Sequence, residues 1–355
     1  MTIPFVGSSA DATSATDETK FSYVAGNTRN LASLKKVTVT GGKMFAEAFK
    51  GWSKIESITL PSGLTNIPHS AFYGCSSLKN ISIPSGVTSI GYYAFRGCSF
   101  LKSVNIPSGV KAISERLFDG CSSLESVNIP SGVNEIMEST FEGCSSLENI
   151  QIPDNSSITE IGNSAFCGCS SLKTIKLPSG VKAIFNYAFK DCESLKSITV
   201  PSSIGVSAFE GCSSLYIVSI TDKEYEYKGY PYPKYFELQT YENGSWSYYQ
   251  GADHGIIGTK AFKDCSRLTS LTIPKTVDEI CPYAFDGTSL TSVIVNRDLY
   301  LVNDNYYTMV IDVYAYYMWG GSGTDSFEAE QRRKNANALA KDYVDKRFAS
   351  SDLTK

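Results

Sequence analysis

The sequence predicts an α+β repeat solenoid, in which one short coil of chain stacks on the next. The first observation is a fixed period, because a phenylalanine, preceded in most repeats by alanine, recurs mostly every 23 residues from Phe72 onward. The second is a leucine three residues after a cysteine, followed by alternating apolar residues. The third is a Pro-Ser-Gly turn after that alternation. A period of this length is typical of solenoids and takes precedence over local motifs.

Each repeat contains one short strand. In Leu78-x-x-Ile81-x-Ile83 the alternate side chains point to one side of a strand, and Pro84 ends it because proline has no N–H for a ladder. A second apolar set follows the turn and indicates an opposite wall that faces the same interior. One coil cannot bury both walls, so the repeats are expected to stack.

Eight cysteines occupy one position of the repeat and are expected to form a column of small buried side chains: Cys75, Cys98, Cys121, Cys144, Cys169, Cys192, Cys212 and Cys265. A zinc site is disfavoured because four thiolates must converge on one ion. Disulfides between neighbouring coils remain an alternative, since a separation of about 4.8 Å lies within the allowed Cα range. Cys167 and Cys281 lie off the column and are the candidates for exposed thiols.

These motifs resemble the BspA-like (Treponema-type) leucine-rich repeat surface protein family. The resemblance rests on I-P-S-G-V at 83–87, I-G-x-x-A-F at 90–95 and G-C-S-S-L at 143–147. It extends from about Leu34 to Val295 with one interruption, and the first and last coils depart from the pattern, as caps do. The resemblance implies a leucine-rich repeat of about 23-residue coils with short parallel strands on the concave face. It also implies an extracellular or cell-surface location.

Three regions are expected along the chain. Residues 1–30 predict a flexible leader and N-terminal cap because the segment is rich in Ser, Thr and Asp. Residues 31–295 predict the solenoid. Residues 296–355 predict a C-terminal cap with a strand-like segment and a helix at 325–348, which begins with a sequence that resembles a capping box. No basic start followed by an apolar stretch is present, so either the protein is cytosolic or a signal peptide has been removed. The family resemblance implies the second.

Composition argues against several function classes. A net charge of −4 and a pI near 5.4 argue against a nucleic-acid partner or an anionic membrane surface. No stretch approaches the roughly 20 apolar residues of a membrane span. The two histidines, His69 and His254, lie far apart in the repeat register, and no hydrolase, metalloprotease or phosphate-loop motif is present. We therefore expect no catalytic residue, no metal and no cofactor.

The strands present two outward columns that are short and polar. One reads Thr59, Ser82, Asn105, Asn128, Gln151, Lys176, Thr199, Ser219 and Thr272, and the other reads Ser57, Asn80, Ser103, Ser126, Asn149, Thr174, Ser197, Ile217 and Ser270. Binding hot spots are richer in Trp, Tyr and Arg, so a solvated face is favoured over a sugar-binding face. The next column contains both Lys and Glu, and these mixed signs predict a solvated rim that neutralises itself along the stack.

One insertion interrupts the repeat. The spacing of 53 residues between Phe209 and Phe262 equals one repeat plus 30, and residues 222–254 carry eight tyrosines besides Trp246. Alternation at 224–227 and the Asn243-Gly244 pair predict a β-hairpin or two. Aromatic insertions suit protein contact and sugar stacking, and packing of the hairpin on the solenoid is the alternative. The candidate binding residues are Tyr225, Tyr227, Tyr230, Tyr232, Tyr235, Trp246, Tyr248 and Tyr249.

These features predict a non-enzymatic cell-surface or secreted binding or adhesion module. Its expected partner is a protein or glycan of a host or neighbouring cell. A carbohydrate-active enzyme that uses the insertion as a substrate platform is one alternative. A purely structural surface-layer component is another.

Overall fold

The computed structural model describes residues 2–3, 34–41, 44–221, 238–242, 245–249, 255–280 and 283–295. The chain divides into a first unit of Met1–Leu268 with Thr276–Ser289 and a second unit of Thr269–Lys275 with Leu290–Lys355. The described residues form strands and turns and contain no helix. The α component of the predicted α+β class therefore has no support there. The helix predicted at 325–348 lies outside the described residues, as do nearly all of the leader and the whole 296–355 cap.

The strands are short and recur with the repeat. They are β1 (Thr2–Ile3), β2 (Lys36–Val39), β3 (Ser57–Thr59), β4 (Asn66–Ile67), β5 (Asn80–Ser82), β6 (Ser89–Ile90), β7 (Ser103–Asn105), β8 (Ala112–Ile113), β9 (Ser126–Asn128), β10 (Glu135–Ile136), β11 (Asn149–Gln151), β12 (Glu160–Ile161), β13 (Thr174–Lys176), β14 (Ala183–Ile184), β15 (Ser197–Val200), β16 (Ser203–Ile204), β17 (Ile217–Ile220), β18 (Leu238–Glu242), β19 (Ser245–Tyr249), β20 (Gly255–Ile257), β21 (Ser270–Ile273), β22 (Val277–Ile280) and β23 (Ser292–Val295).

The first unit contains two sets of stacked parallel strands. One sheet has the order β1-β2-β3-β5-β7-β9-β11-β13-β15-β17, and a second has the order β22-β20-β16-β14-β12-β10-β8, with β4 and β6 paired separately. Equivalent repeat positions pair, as Ile58 does with Ile81. Within the second unit, β21 pairs in parallel with β23. The register therefore keeps each repeat position in one column.

The core of the first unit follows from this register. Strands such as β5, β7 and β9 bury their middle residue and expose its two neighbours, as a period of two dictates. On the opposite wall the Ala-Phe motifs stack their phenylalanines, with neighbouring ring centroids 5.1–5.7 Å apart and ring planes within 14°. These rings are fully buried. The predicted solenoid of stacked coils is confirmed.

The cysteine column is confirmed as a ladder of free, buried thiols. Each thiol donates a hydrogen bond to the carbonyl of the phenylalanine in the preceding coil, as Cys75 Sγ does to Phe49 O at 3.0 Å and Cys98 Sγ does to Phe72 O at 3.2 Å. Disulfides between coils are thus absent among the described cysteines. Burial raises the pKa of Cys75 to about 12, because the thiolate would lose its hydration.

Of the two cysteines that lie off the column, the structure describes only Cys167. Cys167 is half-buried, and burial raises the pKa of its thiol to about 11, with Glu142 and Asp191 adding to the shift. A raised pKa disfavours the reactive thiolate at neutral pH. Cys281 lies outside the described residues.

Candidate functional site

The coils on either side of the insertion stack directly on each other. The rings of Phe209 and Phe262 lie 5.1 Å apart with an interplanar angle of 3°. The backbone N–H of Ser207 donates to the Thr259 carbonyl at 2.8 Å, as its equivalents do throughout the stack. The core therefore continues from one of these coils to the next, although residues 222–254 separate them in the sequence. This segment is a true insertion between the end of β17 and the start of β20.

Part of the insertion forms an antiparallel hairpin. In β18 and β19, Tyr241 lies opposite Trp246 and Glu242 lies opposite Ser245, so only residues 243 and 244 separate the strands. The hairpin predicted from Asn243-Gly244 is confirmed. Of the predicted binding residues, three lie in β19: Trp246, Tyr248 and Tyr249. The other five lie outside the described residues: Tyr225, Tyr227, Tyr230, Tyr232 and Tyr235.

The polar columns on the strands are engaged partly with each other. Thr174 Oγ1 donates to Asn149 Oδ1 at 3.0 Å. The Asn128 amide accepts from the Ile106 N–H at 2.7 Å and donates to the Ile106 carbonyl at 3.0 Å. Such amide groups support the stack of coils, so they are less available to a ligand than their exposure suggests.

The charged column forms ion pairs along the stack, as predicted. Glu56 is paired with both Lys35 and Lys79 at 2.8 Å, and Lys102 is paired with Glu125 at 3.1 Å. Hydrogen bonds from Lys35 and Lys79 lower the pKa of Glu56 to about 2. Because these pairs neutralise one another, most of this column offers little net charge to a partner.

At β17 the charged column and the second polar column each carry a different type of residue. Tyr216 stands in the charged column and is 43% exposed, and Ile217 stands in the polar column and is 49% exposed. The Arg267 guanidinium lies over the Tyr216 ring, 5.9 Å from its centroid. We call these three residues the β17 patch. Sequence reasoning missed it, although Ile217 is visible as the one apolar residue in the second polar column.

A different surface runs along the Ala-Phe motifs. His69 stacks on Tyr92 with ring centroids 4.8 Å apart, and Tyr92 meets Tyr93 edge to face at 5.3 Å. The Arg96 guanidinium lies 5.6 Å from the Tyr73 ring centroid and 5.7 Å from that of Tyr93.

Charged groups continue this surface in the next coils. Arg116 is surrounded by Glu115, Asp119, Glu138 and Glu142 at 3.1–3.8 Å. Burial raises the pKa of Asp119, which also contacts Arg96 at 2.9 Å. The described residues contain no group of three or more His, Cys, Asp or Glu placed to hold a metal ion. Nor does the described part of the chain contain a helix that could cross a membrane.

Three solved structures of leucine-rich repeat proteins are similar to this chain. A protein from Bacteroides ovatus is 24% identical, with 74% of each chain covered and a TM-score of 0.48. The leucine-rich repeat protein of T. pallidum is 34% identical over 45% of this chain and 78% of its own, with a TM-score of 0.42. A leucine-rich cell surface protein from Faecalibacterium prausnitzii is 22% identical over 78% and 85%, with a TM-score of 0.38. No protein with a curated description matches significantly.

The family assignment rests on the repeat itself. The family model for the BspA type leucine rich repeat region matches in six copies, over residues 42–158, 144–242 and 252–314. These matches cover most of the chain and include the stacked coils between residues 44 and 221. The chain therefore belongs to the BspA-type leucine-rich repeat family.

Proposed function

We propose that the protein is a non-enzymatic binding module, displayed at a cell surface or secreted, which recognises a protein or glycan through the insertion at 222–254. The solenoid serves as a rigid mount. Family membership supports a surface role, since one similar structure is that of a leucine-rich cell surface protein. The proposed contact residues remain Tyr225, Tyr227, Tyr230, Tyr232, Tyr235, Trp246, Tyr248 and Tyr249.

The observation that carries this proposal is that the core continues across the insertion. Cys265 Sγ still donates to Phe209 O at 3.2 Å across 56 positions of sequence, as Cys98 Sγ does to Phe72 O across 26. Because the coils stack on each other across the insertion, this tyrosine-rich segment can serve as a binding element. Tyr and Trp give large contact area at low entropic cost.

The test is replacement of residues 222–254 by Pro-Ser-Gly-Val-Lys, the turn that the chain uses at 178–182 between β13 and β14. Intact and replaced proteins are screened against extracellular-matrix proteins and glycans. We expect binding by the intact chain and its loss in the replaced chain, with similar thermal unfolding of the solenoid. Binding that survives the replacement would place the site elsewhere.

A finer variant tests the aromatic residues of the hairpin. Trp246→Ser with Tyr248→Ser is expected to weaken binding at least tenfold, since interface aromatics are frequent hot spots. The matched control is Ser245→Ala with Ser247→Ala in the same strand, which should bind like the wild type. Release of reducing sugars during the glycan screen would instead favour a carbohydrate-active enzyme. Self-association at rising concentration would favour a structural surface-layer component.

A further inference from the structure

We infer that the β17 patch is part of the binding surface and receives a protein segment that combines an apolar side chain with neighbouring carboxylates. This inference rests on the proposed function, because it extends the site from the insertion onto the solenoid. It commits to a protein partner, whereas the proposed function leaves protein and glycan open.

The first argument is position. Pairing within the sheet places Ile217 beside Ser197 of β15, and the Tyr216 N–H donates to the Lys196 carbonyl at 3.0 Å. Tyr216 and Ile217 thus occupy the columns held by Lys196 and Ser197 one coil earlier. The insertion begins directly after this strand, past Thr221. Two outward columns therefore become apolar in the very coil from which the insertion departs.

The second argument is exposure. Tyr216 and Ile217 are adjacent and both more than two-fifths exposed, while Val218 beside them is buried and maintains the core. Core packing therefore does not require their apolar character. The polar residues at equivalent positions of the earlier coils show that the stack forms without it. This adjacent apolar surface, which the core does not require, is therefore available to a partner.

The third argument is the chemistry of the patch. The Arg267 guanidinium lies over the Tyr216 ring, and Lys196 is exposed on the other side of this coil. Among the described residues neither cation has a carboxylate within ion-pair distance, unlike Lys102 and Lys173 in other coils. Aliphatic surface from Ile217 suits an apolar side chain, and the two cations suit carboxylates. Tyr and Arg are also the residue types enriched in hot spots.

A peptide series tests the chemistry. The probes are labelled peptides in which Glu alternates with Leu and Phe, and control peptides carry Lys in place of Glu or Ser in place of Leu and Phe. Fluorescence anisotropy measures binding to the full chain at low and high salt. We expect binding of the acidic apolar peptide alone, weakened by salt because of the Lys196 and Arg267 charges.

Variants tie that binding to the patch. Tyr216→Lys with Ile217→Ser restores the residue types of the preceding coil and should weaken the acidic apolar peptide at least tenfold, and Arg267→Ser should weaken it severalfold. The control is Phe100→Ser, which removes a 57% exposed aromatic side chain elsewhere and should leave binding unchanged. Equal binding by all variants, or no binding at all, overturns the inference.

Thermal unfolding distinguishes a free patch from one that the insertion covers. If the patch receives a partner, the Tyr216→Lys, Ile217→Ser variant unfolds at the wild-type temperature. The double substitution could instead lower the unfolding temperature of the intact chain but not that of the chain in which residues 222–254 are replaced. That result would show that the patch packs against the insertion, which overturns the inference. If replacement of residues 222–254 abolishes binding in the screen but the acidic apolar peptide does not bind, this inference is refuted and the proposed function is not. The absence of any screen binding refutes the proposed function.

Discussion

The buried cysteine ladder should make the protein sensitive to alkaline pH, and Cys75→Ala tests this prediction. Burial raises the pKa of Cys75 from 9.0 to about 12. Between about pH 9 and pH 12, the Cys75 thiol is deprotonated in the unfolded chain and stays protonated in the folded chain. The stability linked to this thiol is fully present below about pH 9 and is lost as the pH rises towards 12.

The magnitude follows from linkage. A full proton difference changes the free energy of unfolding by about 1.4 kcal/mol per pH unit. For Cys75 the integrated loss is about 1.4 kcal/mol at pH 10 and about 2.7 kcal/mol at pH 11. Desolvation also raises the pKa of four further buried thiols of the ladder, those of Cys98, Cys121, Cys144 and Cys169, so the wild type should lose stability steeply over this range.

The assay is urea unfolding, followed by circular dichroism, at intervals from pH 8 to 11 with a reductant present. The Cys75→Ala variant should lose less stability per pH unit than the wild type, because one linked proton is missing. Val87→Ala, a truncation at another fully buried position, should lower stability at every pH and leave the pH slope unchanged. Parallel pH profiles for Cys75→Ala and the wild type would refute the reasoning.

Three further predictions concern packing and charge. Phe118→Ala should lower the free energy of unfolding by about 3–5 kcal/mol or more, since the ring is fully buried between two others at 5.6 Å; urea denaturation measures this, and a loss near 1 kcal/mol would contradict it. Gly91→Ala should lower the free energy of unfolding by about 1–3 kcal/mol, because its Cβ would lie 2.4 Å from the backbone nitrogen of His69. In the control Gly63→Ala, the added Cβ meets nothing within 4 Å, and stability should change by less than about 0.5 kcal/mol. The Glu56 carboxyl should titrate near pH 2 by NMR, and its pKa should rise when Lys79→Met removes one hydrogen bond.

Much of the architecture could be predicted because the same residue types recur at the same positions in successive repeats. A single Leu-x-x-Ile-x-Ile run is ambiguous, but its recurrence with Phe and Cys at constant spacing specifies stacking, register and the free thiol ladder. The second set of strands was expected only as an apolar wall. Strands such as β6, with two residues, are too short to show alternation in the sequence.

The candidate site was less predictable because it departs from the repeat. The Asn243-Gly244 pair was enough for one hairpin, since that turn favours two-residue loops. Nothing in the insertion recurs, so no column fixes how its tyrosines are arranged. The β17 patch was present in the columns as Ile217, but one apolar residue among many polar ones has no meaning until its neighbours are known. Its importance comes from Tyr216, Arg267 and the root of the insertion.

The backbone explains why outward positions of this solenoid can change independently of the fold. The residue before each Ala-Phe motif adopts a left-handed conformation, with φ of 54° at Ser70, 59° at Tyr93 and 50° at Arg116. Such a conformation costs of order 1 kcal/mol for a residue with a side chain. It is held by the hydrogen bond that its N–H donates to the next coil, 2.9 Å long from Ser70 N to Tyr92 O. Since the main chain sets this geometry, polar, aromatic and basic side chains are all accepted there. Variation at an outward position is therefore uninformative by itself, and an argument for function needs coincident departures in neighbouring columns, as at β17.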